Sequence, residues 1–202
     1  TNYFETFNRD HVHLIDVSES PISSCFTDGL ILSDDTQIKA DMIVFATGFD
    51  AMTGALTNIE IIGKDGESIK DKWKTGPSAY LGIAISGFPN FFMITGPGSP
   101  SVLSNMVPSI EQHVNWISDC IKFLKNKNFV SIEAELNAQH SWMEKVNKIS
   151  DQTIYPHCQS WYLGTNIKGK KQAFTAYLGV PPYIDECREV VDSGYKGFYL
   201  SK

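Results

Sequence analysis

The sequence has no apolar run that approaches membrane-spanning length and shows no signal-peptide pattern, so no membrane partner is expected. It has no long basic run either. Its 17 Lys and Arg stand against 23 Asp and Glu, a net charge of −6, which argues against a nucleic-acid partner. Cysteine is sparse: Cys25, Cys120, Cys158 and Cys187 lie far apart with no Cys-x-x-Cys pair. A disulfide framework or zinc knuckle fits poorly, and reduced thiols in a cytoplasmic protein are the expectation. His11 and His13 would share one face of a strand, but no third ligand stands near them, so no metal site is expected. No complete Gly-x-Gly-x-x-Gly occurs. Gly96 and Gly98 have the first spacing, but Ser101 stands where the third glycine would be.

What is present is ordinary globular material, 42% hydrophobic and 20% charged over 202 residues. A chain of this size that folded alone would bury roughly 70% of its unfolded surface. It opens on Thr1, so the true start is expected elsewhere. The organising stretch is Asp41-Met42-Ile43-Val44-Phe45-Ala46-Thr47-Gly48-Phe49-Asp50. Met42 to Phe45 reads as a buried central strand. Ala46-Thr47-Gly48 then removes side-chain bulk, which lets the backbone approach another segment or a flat ligand, or simply turn. Upstream, Val12 to Val17 reads as a strand and Gly29 to Leu32 opens a hairpin that turns at Ser33-Asp34-Asp35. Turn chemistry explains the paired aspartates better than acid–base catalysis does.

Ile59 to Ile62 reads as a short strand ending at the Gly63–Gly66 turn, and Leu81 to Ile85 as another. Trp73 reads as a packing residue. Phe91 to Thr95 is expected to be a second buried strand, ending in Gly96-Pro97-Gly98. A helix follows, with Ile110, Val114, Ile117, Ile121 and Leu124 on one apolar stripe, Pro108 in its first turn and Glu111 near its positive end. A glycine turn before a helix aims the helix N-terminus at a ligand, or it is a plain connection. Asn128 to Glu133 reads as an edge strand, followed by a helix with Trp142, Val146 and Ile149 on its packed face. Trp161 lies in a loop with Gly164, Asn166, Gly169 and three lysines, Lys168, Lys170 and Lys171. That mixture suits a nucleotide, and equally a solvated basic loop. Phe174 to Gly179 reads as a returning strand, and Tyr183, Tyr195, Phe198 and Tyr199 should pack the tail.

Five segments, in order and at matching spacing, resemble the Baeyer–Villiger monooxygenases. They are Phe4-Glu5-Thr6-Phe7-Asn8-Arg9-Asp10, the 41–50 stretch, Gly96-Pro97-Gly98-Ser99-Pro100, Pro108-Ser109-Ile110-Glu111 and Ser160-Trp161-Tyr162-Leu163-Gly164. The matching region is the C-terminal part of a longer family protein. The resemblance implies an α/β fold: an incomplete two-dinucleotide-binding-domain flavoprotein. Residues 1–45 would be the terminal strands of an NADP-binding domain and the interdomain link. Residues 46–202 would be the C-terminal portion of an FAD-binding domain with substrate and NADP loops.

Carried over position by position, the resemblance implies cofactor contacts at Ala46, Thr47, Gly48, Phe49 and Asp50 in the interdomain link, and at Gly96, Pro97, Gly98, Ser104, Asn105 and Met106, where the loop and helix start would lie against the FAD ring. It implies contacts at Trp161, Asn166 and Lys170 for NADPH, and a substrate pocket shaped by Ser101, Val102, Leu103 and Met106. The stretch 101–106 resembles the longer of two forms of this loop in the family. Lys168 departs from the proline usual there, which bears on the stiffness of the loop.

The implied chemistry is NADPH reduction of the flavin, addition of O2 to give a peroxyflavin, and conversion of a ketone to an ester or lactone. The family's active-site Arg falls upstream of Thr1, so no catalytic residue is expected in this chain, and Arg9 and Arg188 do not inherit that role. The chain alone is expected to be inactive, to need the N-terminal part of the same enzyme, and to self-associate through uncovered apolar surface. Two alternatives stand beside this reading: a flavin monooxygenase acting on sulfur or nitrogen, and a standalone non-catalytic binding module.

Overall fold

The structure is a computed structural model that describes residues 2–48, 50, 53–100, 104–157, 176–177 and 179–202. The chain divides into two compact units, Thr1–Thr47 and Gly48–Lys202.

In the first unit a short helix α1 (Tyr3–Thr6) precedes a three-stranded antiparallel sheet, β1 (Ile22–Phe26), β2 (Gly29–Leu32) and β3 (Gln37–Lys39), in the order β1-β2-β3. Gly29 can only be glycine: a Cβ there would lie 1.9 Å from the Ile38 carbonyl oxygen on the neighbouring strand. The β2–β3 turn uses both aspartates. Asp35 adopts φ +66°, and Asp34 Oδ1 accepts from the Thr36 amide at 3.0 Å. That hydrogen bond holds the Asp34 carboxyl below its ordinary value, as expected for turn chemistry.

Two expected strands are absent from this unit. Residues 12–17 and 42–45 form no ladder among the described residues. Met42, Val44 and Phe45 are 79%, 76% and 80% exposed. An apolar, β-branched run supplies only a preference; a strand exists when a neighbour takes its backbone hydrogen bonds.

The second unit is built on three helices, α4 (Met106–Lys127), α5 (Leu136–Ser150) and α6 (Val180–Asp192). Before them come two one-turn helices, α2 (Gly54–Thr57) and α3 (Ile69–Lys72), the latter capped by Ser68, whose side chain accepts from the Asp71 amide. Two strand pairs edge the helices. β4 (Ser99–Pro100) runs parallel to β6 (Ala176–Tyr177), and β5 (Ser131–Ala134) runs antiparallel to β7 (Phe198–Ser201).

The main core gathers Leu81, Trp116, Cys120, Trp142, Val146, Tyr183 and Phe198, among others. A smaller one holds Ile69, Trp73, Ile85, Phe88 and Met93. Each such side chain contributes about 1.5–3 kcal/mol by leaving water. Trp73 packs as expected, and so do Trp142 and Val146 on α5 and Tyr183, Tyr195 and Phe198 in the tail, while Tyr199 is exposed. Among the described residues no helix is long and apolar enough to cross a membrane, no group of His, Cys, Asp or Glu could hold a metal, and Cys25, Cys120 and Cys187 are free thiols.

Three expectations change in this unit. Leu81 to Ile85 is a buried turn, with Leu81 at φ +56° and Gly82 at φ +69°, closed by the Ile83 amide on the Tyr80 carbonyl at 3.0 Å. Phe91 to Thr95 is an irregular segment: only Met93 is buried, and Thr95 turns out of the extended path at φ +54°. Of residues 59–62, only Ile62 pairs, as an isolated bridge to Ser68.

Helix α4 is present but rotated from the expected orientation. Its buried face is Ser109, His113, Trp116, Cys120 and Leu124. Of the expected apolar stripe, Leu124 is buried and Ile117 packs against the core, while Ile110, Val114 and Ile121 remain 39%, 46% and 53% exposed. Trp116 decides the rotation, because it offers the larger aromatic surface and its indole N–H reaches the Cys187 carbonyl of α6 at 3.2 Å.

Candidate functional site

The Gly96-Pro97-Gly98 turn is buried throughout, and protein atoms fill the space its glycines leave. A Cβ on Gly96 would lie 2.6 Å from the Gly82 carbonyl oxygen. A Cβ on Gly98, at φ +83°, would lie 2.9 Å from the Trp142 indole nitrogen. The same indole donates to the Gly98 carbonyl at 3.0 Å. The Gly96 amide donates to Gly82 at 3.0 Å, and Ser99 Oγ donates back to the Gly96 carbonyl at 2.7 Å. Both glycines therefore serve a close approach of chain to chain.

His113 lies behind this turn. Its Nδ1 accepts from the Thr95 amide at 2.8 Å, and its Nε2 lies 2.6 Å from the Tyr183 hydroxyl, which donates to the Leu81 carbonyl at 2.7 Å. Burial pushes the His113 pKa down to about 4 and that of Tyr183 well up, so both are neutral at neutral pH. The sequence reading missed His113. Its signal was a second helical face, Ser109, His113, Trp116, Cys120 and Leu124, on which only Cys120 and Leu124 are types most often fully buried and Trp116 is a type highly buried on average.

The open part of the site is the start of α4. Asn105 is the N-cap, and its side chain accepts from the Val107 amide. Asn105 is exposed and Met106 half-buried. The first turn carries no acidic residue; the helix starts at Met106, so Glu111 lies in its second turn. The positive end of a 22-residue helix is thus left without a carboxylate of its own and favours an electron-rich edge by about 0.3–1 kcal/mol. Pro108 has no N–H and the Val107 N–H is taken by Asn105, so the Met106 amide beside its own apolar side chain is the first-turn donor that fits the acceptor edge of a flat heteroaromatic ring.

The remaining predicted residues fall in both units or outside the described residues. Ala46 and Thr47 belong to the first unit; Gly48, at φ +88°, and Asp50 belong to the second. All four are exposed. The Asp50 carbonyl accepts from the Gly54 amide at 3.1 Å, just ahead of α2. Phe49, Ser101, Val102, Leu103, Trp161, Asn166 and Lys170 lie outside the described residues.

No protein-family model matches the chain. Comparison with individual proteins is decisive. The cyclohexanone 1,2-monooxygenase of Acinetobacter sp. is 40% identical over 199 residues, 98% of this chain and 36% of its own length. The chain matches the C-terminal part of Baeyer–Villiger monooxygenases. The phenazine N-monooxygenase PhzNO1 of Lysobacter antibioticus is 38% identical over 200 residues, again 98% of this chain and 37% of its own. Among solved structures, the OTEMO complex with FAD and NADP superposes with a TM-score of 0.87 at 36% identity, covering all of this chain and 37% of that one. The chain thus spans little more than a third of the length of these relatives. The mixed α/β architecture agrees with part of a two-dinucleotide-binding-domain flavoprotein.

Proposed function

We propose that this chain is the C-terminal part of an FAD- and NADPH-dependent Baeyer–Villiger monooxygenase that converts ketones to esters or lactones. The observation that carries this reading is the 40% identity, across nearly the whole chain, with a monooxygenase named for a cyclic ketone. Residues 1–45 then belong to the NADP-binding domain and 46–202 to the FAD-binding domain. When bound, the reduced flavin supplies the electrons that activate O2 for insertion beside the carbonyl.

The chain's own contribution is positional. The buried Gly96–Gly98 turn fixes the approach to α4. Ser104, Asn105 and Met106 present backbone donors and an apolar side chain to the flavin edge. Ser101, Val102 and Leu103, with Met106, line the ketone pocket, and Trp161, Asn166 and Lys170 hold the nicotinamide nucleotide. No residue of this chain is assigned a catalytic role, so the isolated chain is inactive and works only with the N-terminal part of the same cytoplasmic enzyme.

The test is to extend the protein upstream of Thr1 to the length of the relatives and offer it a panel of ketones with NADPH and O2. Lactone or ester formation coupled to NADPH oxidation supports the reading. Ketone oxygenation by the 202 residues alone would overturn the assignment of a dependent part. A second reading has one specific observation behind it: the 38% identity with a phenazine N-monooxygenase. Oxidation of an aromatic nitrogen or a thioether, with ketones untouched, would favour that alternative.

A further inference from the structure

Thr95, His113, Tyr183, Leu81, Gly82 and Gly96 close a ring of contacts. The Thr95 amide enters the imidazole, the imidazole meets the Tyr183 hydroxyl, and that hydroxyl bonds the Leu81 carbonyl. The next carbonyl along, that of Gly82, takes the amide of Gly96, which follows Thr95. Four pieces of the second unit meet here: the buried turn at 80–84, the segment at Thr95 and Gly96, helix α4 and helix α6. His113, Tyr183 and Leu81 are all essentially inaccessible to water.

The proton assignments follow from the partners. A backbone amide can only donate, so Nδ1 must carry a lone pair. Nε2 then bears the proton and gives it to the Tyr183 oxygen, whose own proton goes to Leu81. Only this tautomer satisfies every group, and a buried network is stable only when fully satisfied. The demand originates at Thr95. Its φ of +54° takes its N–H out of any strand ladder, and an unpaired buried N–H is costly. A residue needed only to fill volume would be apolar at this place on α4.

We propose that His113 is the positioning residue of the flavin-facing turn, tying the chain just before Gly96–Gly98 to the helix whose N-terminal end presents Asn105 and Met106. This rests on the flavin reading given above. Tyr183 acts through His113 by holding its tautomer. Because Thr95 and His113 are 18 positions apart, their bond ties the residue that precedes the glycine turn directly to α4, and a displacement of ~1 Å at such a support can cost on the order of 10²-fold in rate.

The test uses two isosteric variants. His113→Asn places an amide oxygen near the lost Nδ1 and can still take the Thr95 N–H. His113→Gln places its amide nitrogen near the lost Nε2, keeps Tyr183 and abandons Thr95. Both lose the ring, so their melting temperatures report the shared packing cost. Hydrogen exchange at the Thr95 amide is read in the 202-residue chain; visible absorbance and circular dichroism of bound flavin, with kcat and KM, are read in the upstream-extended holoenzyme.

The expected result is that His113→Asn retains Thr95 protection and most of the flavin signature. His113→Gln should lose protection by on the order of 10-fold, shift the flavin bands and lower kcat with KM for NADPH little changed. Flavin changes that track the melting temperature alike in both variants, or a silent His113→Gln, would overturn the proposal. An extended wild type that takes up no flavin would overturn the flavin half together with the reading beneath it. Thr95 exchange would then still decide whether His113 ties Thr95 to α4.

Discussion

The indole of Trp142 bonds the carbonyl of Gly98 at 3.0 Å while its nitrogen occupies the space where a Gly98 side chain would begin, 2.9 Å from an ideal Cβ. One side chain therefore supplies both the hydrogen bond and the steric reason for the glycine. Its ring also stacks on Tyr177, centroids 5.2 Å apart and planes 7° from parallel. The β4–β6 pair and the glycine turn are thereby held to α5.

Trp142→Ala is expected to destabilise the chain by about 3–5 kcal/mol, the range for emptying a buried aromatic site. Trp142→Phe keeps most of the stack and gives up the bond to Gly98, for roughly 1–3 kcal/mol. Urea titration would compare them; a Trp142→Phe variant as stable as the wild type would mean that the indole N–H contributes nothing.

Gly82 supports the same turn from the other side. It adopts φ +69°, and a Cβ would fall 2.5 Å from that of Ser99 and 2.7 Å from the Ser99 amide nitrogen. Gly82→Ala should cost at least about 1–3 kcal/mol from backbone strain alone, seen as a lower urea midpoint at unchanged slope. An unaltered midpoint would show that the turn relaxes freely.

Acid should weaken the second unit through His113. Its pKa falls from an ordinary 6.5 to about 4 on folding, so between these values the unfolded chain binds the extra proton. The contribution is complete above pH 6.5 and is lost as pH falls through the window toward 4, by about 3 kcal/mol in all. Protonation would also place a donor against the Thr95 N–H. The carboxyls of Asp16, Asp34 and Asp71, lowered from 3.8, lose their contributions only below that value. Stability measured from pH 7 to 4 should slope in the wild type and flatten in His113→Gln.

The uncovered stripe on α4 predicts association. Val107, Ile110, Val114 and Ile121 are 60%, 39%, 46% and 53% exposed, an apolar helix face of the kind that marks an interface. The isolated chain should sediment above its 22.5 kDa monomer mass at micromolar concentration. The double variant Val114→Lys with Ile121→Lys should restore the monomer while moving stability by no more than ~0.5 kcal/mol for each exposed site. A wild type that sediments as a monomer would count against the stripe as a contact surface.

The sequence by itself determined what is local. The period of α4 and α5, the Asp34–Asp35 turn and the motif order were all legible, because helix and turn hydrogen bonds close within a few residues. The motif order sufficed to indicate the enzyme family. Tertiary structure decided the rest. Met42 to Phe45 and Phe91 to Thr95 carry strand composition, yet no ladder forms on them among the described residues, since a strand's partners lie elsewhere in the chain. Which face of α4 turns inward was settled by Trp116 meeting α6. His113 gained its role only when folding brought Thr95 and Tyr183 to its two nitrogens; no period or motif encodes a contact made between positions 70 residues apart.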